Sequence, residues 1–176
     1  MSKKNFTYLL TSNSTNEEEI FPAKTILLRE GEISKRIYCI ESGCLRSHFL
    51  HDGKDISFQF FFEGDTVASF ESFYSGEPSH FTLETIEKTK VRIIEQEDFR
   101  KLLENEEMRS HYENRIIQRF IVYQKLFLSR IKNSPQERYE ELLKEYPDII
   151  KRIPQHYIAS YLGITPVSLS RIRNRR

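Results

Sequence analysis

Apolar and polar positions change their rhythm about three-fifths of the way along this chain. Over the first hundred residues, short runs rich in Ile, Phe, Thr and Val recur at 25–28, 37–40, 44–50, 55–62, 81–86 and 91–94. Between them lie Glu30-Gly31, Ser42-Gly43, Asp52-Gly53, Glu63-Gly64 and Ser75-Gly76, pairs that favour turns. Strand-and-turn spacing of this kind predicts a β-sandwich, barrel or jelly roll. Phe58, Phe60 and Phe62 alternate, which gives their strand one aromatic core face. Phe61 sits on the other face, so this strand is expected to be buried on both sides.

From 106 to 132 there is no Gly or Pro, and the spacing becomes helical. Met108, Tyr112, Ile116, Ile117, Phe120, Ile121, Tyr123, Phe127, Leu128 and Ile131 cover more than one stripe. A helix that long and apolar on two sides needs two partners. Its own domain supplies one, and the same helix of a second copy supplies the other, giving a homodimer. Ile116, Phe120, Tyr123 and Phe127 are the candidate interface residues. Ser134-Pro135-Gln136-Glu137 then reads as a capping box with proline at the first helical position. That helix is expected to reach about Tyr146 and to stop before Pro147.

The last 26 residues hold a third pattern. Pro154 or Gln155 opens a helix with inner face Ile158, Ala159 and Leu162, and Ala159 is small because a second helix crosses close above it. Gly163 ends that helix in a turn that calls for positive φ. Thr165 is the expected N-cap and Pro166 the first residue of the next helix. Leu169 and Ile172 point back, while Val167, Ser170, Arg171 and Asn174 face outward. This is the skeleton of a helix-turn-helix.

Charge sharpens that reading. The 26 residues carry six Lys/Arg and no Asp or Glu, whereas the whole chain sums to +1, so the remainder carries −5. A basic tip on an acidic body suggests a polyanion partner touched at one end. A plain helical hairpin would need no basic outward face. Double-stranded DNA is therefore the expected partner. Val167, Ser170, Arg171 and Asn174 are candidate base contacts, and Lys151, Arg152, Ser168, Arg173, Arg175 and Arg176 candidate phosphate contacts.

Composition excludes other classes. With 38% apolar and 30% charged residues in 176, the chain is neither disordered nor a membrane protein. The apolar stretch behind Lys3-Lys4 is too short for a signal sequence, which predicts a cytoplasmic protein with Cys39 and Cys44 reduced. A cupin-type metalloenzyme needs histidines two apart on one strand, but His48 and His51 are three apart, and His80, His111 and His156 are scattered. No nucleophile triad or phosphate-binding glycine loop appears. Neither an enzyme nor a cofactor is expected.

The order of parts resembles the Crp/Fnr family of bacterial transcription regulators. PAKTILLREGE and IYCIESGCLR look like the opening strands of that family's cyclic-nucleotide-binding-like roll, and FFEGDTVASFESF like its Gly-Asp strand and phosphate-binding turn. In the family's cyclic-nucleotide binders a Gly-Glu pair follows that strand, the Glu taking the ribose hydroxyl, and an Arg-Ser or Arg-Thr pair takes the phosphate. Those positions hold Ala68-Ser69 and Pro78-Ser79 here. The neutralising arginine is absent, so ordinary cAMP binding is not expected. Ser69, Glu71, Ser79 and His80 are the polar residues nearest the inherited pocket. The family's hairpin between the preceding helices is reduced to 147–153, and the sequence ends after the recognition helix, which predicts a wingless helix-turn-helix. Two of the usual base-reading positions fall on Pro166 and Val167; Arg171 keeps a typical reader.

The expected fold is thus α+β: a sensor β-roll over 1–105, a dimerisation helix over 106–133 and a DNA-binding helix-turn-helix over 134–176. The expected function is a homodimeric transcription regulator on a near-palindromic operator, with RNA polymerase as a candidate partner and an unidentified small-molecule effector. A sensor signalling through a protein partner and a divergent cyclic-nucleotide effector are the alternatives.

Overall fold

The computed structural model describes residues 17–174. The Lys3-Lys4 stretch, Arg175 and Arg176 lie outside them. The strands are β1 (Glu17–Phe21), β2 (Ile26–Leu28), β3 (Arg36–Ser42), β4 (Leu45–His51), β5 (Lys54–Phe61), β6 (Thr66–Val67), β7 (Thr82–Thr85) and β8 (Thr89–Glu95). They form two four-stranded sheets, ordered β1-β8-β3-β6 and β2-β7-β4-β5. The described pairings are antiparallel, and Tyr38 stands opposite Ile93 at the centre of β3 and β8. The helices are α1 (Phe70–Ser75), α2 (Gln96–Leu102), α3 (Glu106–Lys132), α4 (Pro135–Glu145), α5 (Ile149–Arg152), α6 (Gln155–Leu162) and α7 (Pro166–Asn174). This is the α+β arrangement expected: a roll, one long helix and a helical tail.

The sequence pattern missed the short elements. β1 is rich in glutamate and β6 spans two residues, so neither shows an apolar period. α1, α2 and α5 span six, seven and four residues, too few for a helical stripe to register. Phe60, Phe61 and Phe62 are buried, but Phe58 is only half-buried, so the aromatic run is sealed on both faces only at the end of β5.

The chain divides into two compact units. One holds the chain to Phe49 together with Gln59–Arg115; the other holds Leu50–Phe58 and Ile116–Arg176. Inside the first, one core lies between the sheets: Leu28, Tyr38, Ile40, Leu45, Phe61, Val67, Leu83, Val91 and Ile93. Burial pushes the Tyr38 phenol up to about 12. A second core covers the outer face of β3 and β8. There Ile37, Cys39 and Ile94 meet Phe73 of α1, Phe99 of α2, and Met108 and Tyr112 of α3. Edge-to-face rings run from Phe73 through Phe99 (5.6 Å) to Tyr112 (5.1 Å). β3 is therefore buried on both faces. Cys39 and Cys44 are buried thiols, and desolvation pushes that of Cys39 up to about 12, which disfavours its thiolate at neutral pH.

In the second unit Tyr139, Leu142, Ile149, Ile153, Ile158, Ala159, Leu162 and Leu169 are buried. The outer face of α3 differs: Phe120 is 66% exposed and Phe127 65%, with Ile116 and Tyr123 also open to solvent.

Candidate nucleic-acid interface

Two short helices and a sharp turn make the helix-turn-helix. α6 buries Ile158, Ala159 and Leu162, the inner face read from its spacing. Ala159 is completely buried, as a close crossing of α7 demands. Gly163 ends α6 at φ 68°, the left-handed region, and the Ile164 amide donates to the Ala159 carbonyl (3.0 Å). The Thr165 hydroxyl accepts from the Ser168 amide (3.1 Å), so Thr165 is the N-cap and Pro166 the first helical residue. Leu169 is fully buried and Ile172 half-buried.

Val167, Ser170, Arg171 and Asn174 are all exposed. Their spacing of three, four and seven residues from Val167 sets them on one face of α7. Val167 is a branched apolar side chain left 61% open to solvent. The phosphate candidates are less uniform. Arg152, Ser168 and Arg173 are half-buried. The Ser168 hydroxyl lies 3.0 Å from that of Thr165. Lys151 is exposed but holds Asp148 at 2.8 Å, which raises the ammonium pKa and lowers that of the carboxyl. A phosphate must compete with Asp148 for that lysine. The pair was legible as an acid–base spacing of three residues, but Asp148 lies just outside the basic segment.

Three side chains that hold this element carried no sequence signal. Arg138 of α4 donates to the carbonyl of Leu162, the last residue of α6 (2.8 Å), and to that of Arg130 (3.1 Å). Arg130 donates to the Phe58 carbonyl and stacks over the Tyr161 ring at 5.1 Å. Ser160 of α6 accepts from the Ser57 amide and donates to the Asp55 carbonyl, both at 2.9 Å. The first half of β5 is thereby fastened to the first helix of the pair.

The four residues expected near a ligand pocket separate into two groups. Ser69 and Ser79 are buried. Ser79 donates its hydroxyl to the Phe81 carbonyl and its amide to that of Glu32, holding its own loop. Glu71 and His80 are exposed, 3.8 Å apart, and face solvent. Pro78 is exposed as well. Among the described residues no cluster of His, Cys, Asp or Glu could hold a metal, and no helix is long and apolar enough to cross a membrane.

A profile of the cyclic nucleotide-binding domain matches residues 18–106, half of the chain. The chain belongs to the cyclic nucleotide-binding domain family. Its overall fold is that of Crp/Fnr regulators. FixK2 from Bradyrhizobium japonicum superposes with a TM-score of 0.79 at 19% identity, covering 92% of this chain and 84% of that one. The c-di-GMP-responsive global regulator CLP from Xanthomonas campestris gives 0.70 at 15% identity, over 96% and 89%. A protein from Eubacterium rectale, described as a transcriptional regulator of the Crp/Fnr family, gives 0.70 at 21%, over 96% and 81%. Curated protein sequences gave no significant match. At such identities the likeness establishes the fold.

Proposed function

We propose that this chain is a DNA-binding transcription regulator that acts as a two-fold homodimer. The exposed face of α7 carries the proposal: Val167, Ser170, Arg171 and Asn174 project from a helix whose opposite side is anchored by fully buried Leu169. Arg171 can bond the O6 and N7 of a guanine, Asn174 the N6 and N7 of an adenine, and Val167 can touch a thymine methyl. Lys151, Arg152, Ser168, Arg173, Arg175 and Arg176 supply phosphate contacts, and no acidic residue from 151 onward opposes them. The exposed apolar face of α3, with Ile116, Phe120, Tyr123 and Phe127, pairs with the same face of a second copy. Two recognition helices related by a two-fold axis read a near-palindrome with half-sites roughly 34 Å apart.

Selection of bound oligonucleotides from a random pool tests this. Arg171→Ala relaxes preference at one base pair and costs about 1–3 kcal/mol per half-site. Arg173→Ala weakens all sequences alike and lowers the salt slope by roughly one. If Arg171→Ala leaves the selected sequence unchanged and only shifts the salt slope, Arg171 is a phosphate clamp.

The roll does not act as a cAMP receptor in this reading. Pro78 has neither a cationic side chain nor an amide N–H to offer a cyclic phosphate, a loss of roughly 1.5–3 kcal/mol in a charge-assisted contact. Calorimetric titration with cAMP or cGMP should show no binding; a low-micromolar dissociation constant would overturn it. CLP is described as responsive to c-di-GMP, so that dinucleotide belongs in the same titration.

A further inference from the structure

We propose that Gln124 forms a polar layer in the middle of the seam between two copies of α3 and fixes the register in which the two helices pair. The proposal rests on the dimer reading above and names a determinant within it. Ile117, Phe120, Gln124, Phe127 and Ile131 follow one another at alternating steps of three and four residues. That alternation is the a/d rhythm of helices that wind around each other. All five are exposed, and Phe120, Phe127 and Ile131 are among the most exposed large apolar side chains of the described chain. On the opposite side of α3, Met108 and Tyr112 are buried.

A second copy of this chain is the occupant that fits. The seam runs for 15 residues, about 21 Å at the helical rise. The next longest described helix, α4, spans 11 residues, so no other described helix of this chain can line it. A copy brings a helix of equal length and the same rhythm. Ile116, Ile121, Tyr123 and Leu128 flank the seam without a charge, and Arg130, which also flanks it, is turned onto the Phe58 carbonyl and the Tyr161 ring of its own chain. Phe120 and Phe127, read from the spacing alone as interface residues, lie on the seam itself; Ile116 and Tyr123 flank it.

Gln124 breaks an otherwise apolar row at its centre. Its neutral amide carries two donors and a carbonyl acceptor, so it can pair with its own counterpart across a two-fold axis. A slip of one heptad sets each amide against an isoleucine, from position 117 or 131, and leaves it buried without a partner. One polar position of this kind selects register at a cost in affinity.

The full-length protein tests this by sedimentation at decreasing concentration, with folding checked by circular dichroism. Gln124→Leu should tighten the dimer roughly ten-fold or more by removing the polar layer. Gln124→Glu should weaken it about ten-fold or more by facing two carboxylates across the seam. Gln118→Glu, exposed and away from the seam, should leave the dimer unchanged. Register is read by pulsed electron paramagnetic resonance between spin labels on Gln118→Cys, since Cys39 and Cys44 are buried. The distance distribution should be narrow with Gln124 and broad with Leu. A monomeric wild type sinks the dimer reading itself. A dimeric wild type whose Gln124→Leu variant is unchanged, weaker or equally narrow in distance overturns the role of Gln124.

Discussion

The roll and the long helix spend their apolar residues in opposite ways. In the roll unit both faces of β3 are sealed, one by the facing sheet and the other by α1, α2 and the start of α3. Along α3 from Ile116 to Ile131, nine large apolar side chains remain more than a third exposed. An alternating pattern on curved, paired sheets can close on itself within one chain. A 27-residue helix cannot, because one side of it always points away from the domain that anchors its start. The first region spends its hydrophobicity on folding, and in the proposed dimer the second spends it on association.

The sharpest way to break that comparison is to truncate one phenylalanine in each region. Phe99→Ala removes a fully buried ring that bridges Phe73 and Tyr112 and should lower unfolding stability by about 3–5 kcal/mol. Phe127→Ala should change it by no more than about 0.5 kcal/mol at concentrations where the chain is monomeric, while weakening association. Chemical denaturation measures both, and comparable losses would erase the distinction.

Two left-handed glycines sharpen it next. A Cβ on Gly43, at φ 99°, would lie 2.6 Å from the Cα of Thr89 and 2.8 Å from the Lys88 carbonyl oxygen. Gly43→Ala should therefore cost well over ~1 kcal/mol, because backbone must move as well as adopt strain. At Gly163 a Cβ meets nothing within 4 Å, so Gly163→Ala should cost only the left-handed penalty, about 1–2 kcal/mol. Thermal melts of the two variants should rank in that order.

A smaller effect is expected at the start of α4. Ser134 and Glu137 cap one another through their amides, which holds the Glu137 carboxyl below its ordinary value. Ser134→Ala should cost about 1 kcal/mol, confined to the helical unit and visible as faster amide exchange near Glu137.

The smallest concerns acid. Hydrogen bonds from Lys90 and Arg92 hold the Glu41 carboxyl below its ordinary 4.5. A depressed folded-state pKa gives stability that is full above the unfolded value and lost as pH falls through the folded one. Glu41→Gln should lower stability modestly near neutral pH, by an amount that shrinks as pH falls below about 4.5, and so flatten the acid limb of the profile. A loss that persists unchanged in acid would mean that packing, not charge, is at stake there.

Long elements and their punctuation were determined by sequence alone. The 106–132 helix, the Ser134 cap, Gly163 and the Thr165-Pro166 start are local signals: a period, a hydroxyl three residues before an amide, a glycine where φ is positive. The outward set on α7 was legible for the same reason, because helical periodicity decides which side chains share a face. Tertiary structure decided what periodicity cannot encode. Ser160 meets Ser57 103 positions away, and Arg130 meets Phe58 72 positions away. It also turned Glu71 and His80 out to solvent while burying Ser69 and Ser79. Contacts between distant segments depend on how sheets curve and where loops return, and no local spacing of residues records that.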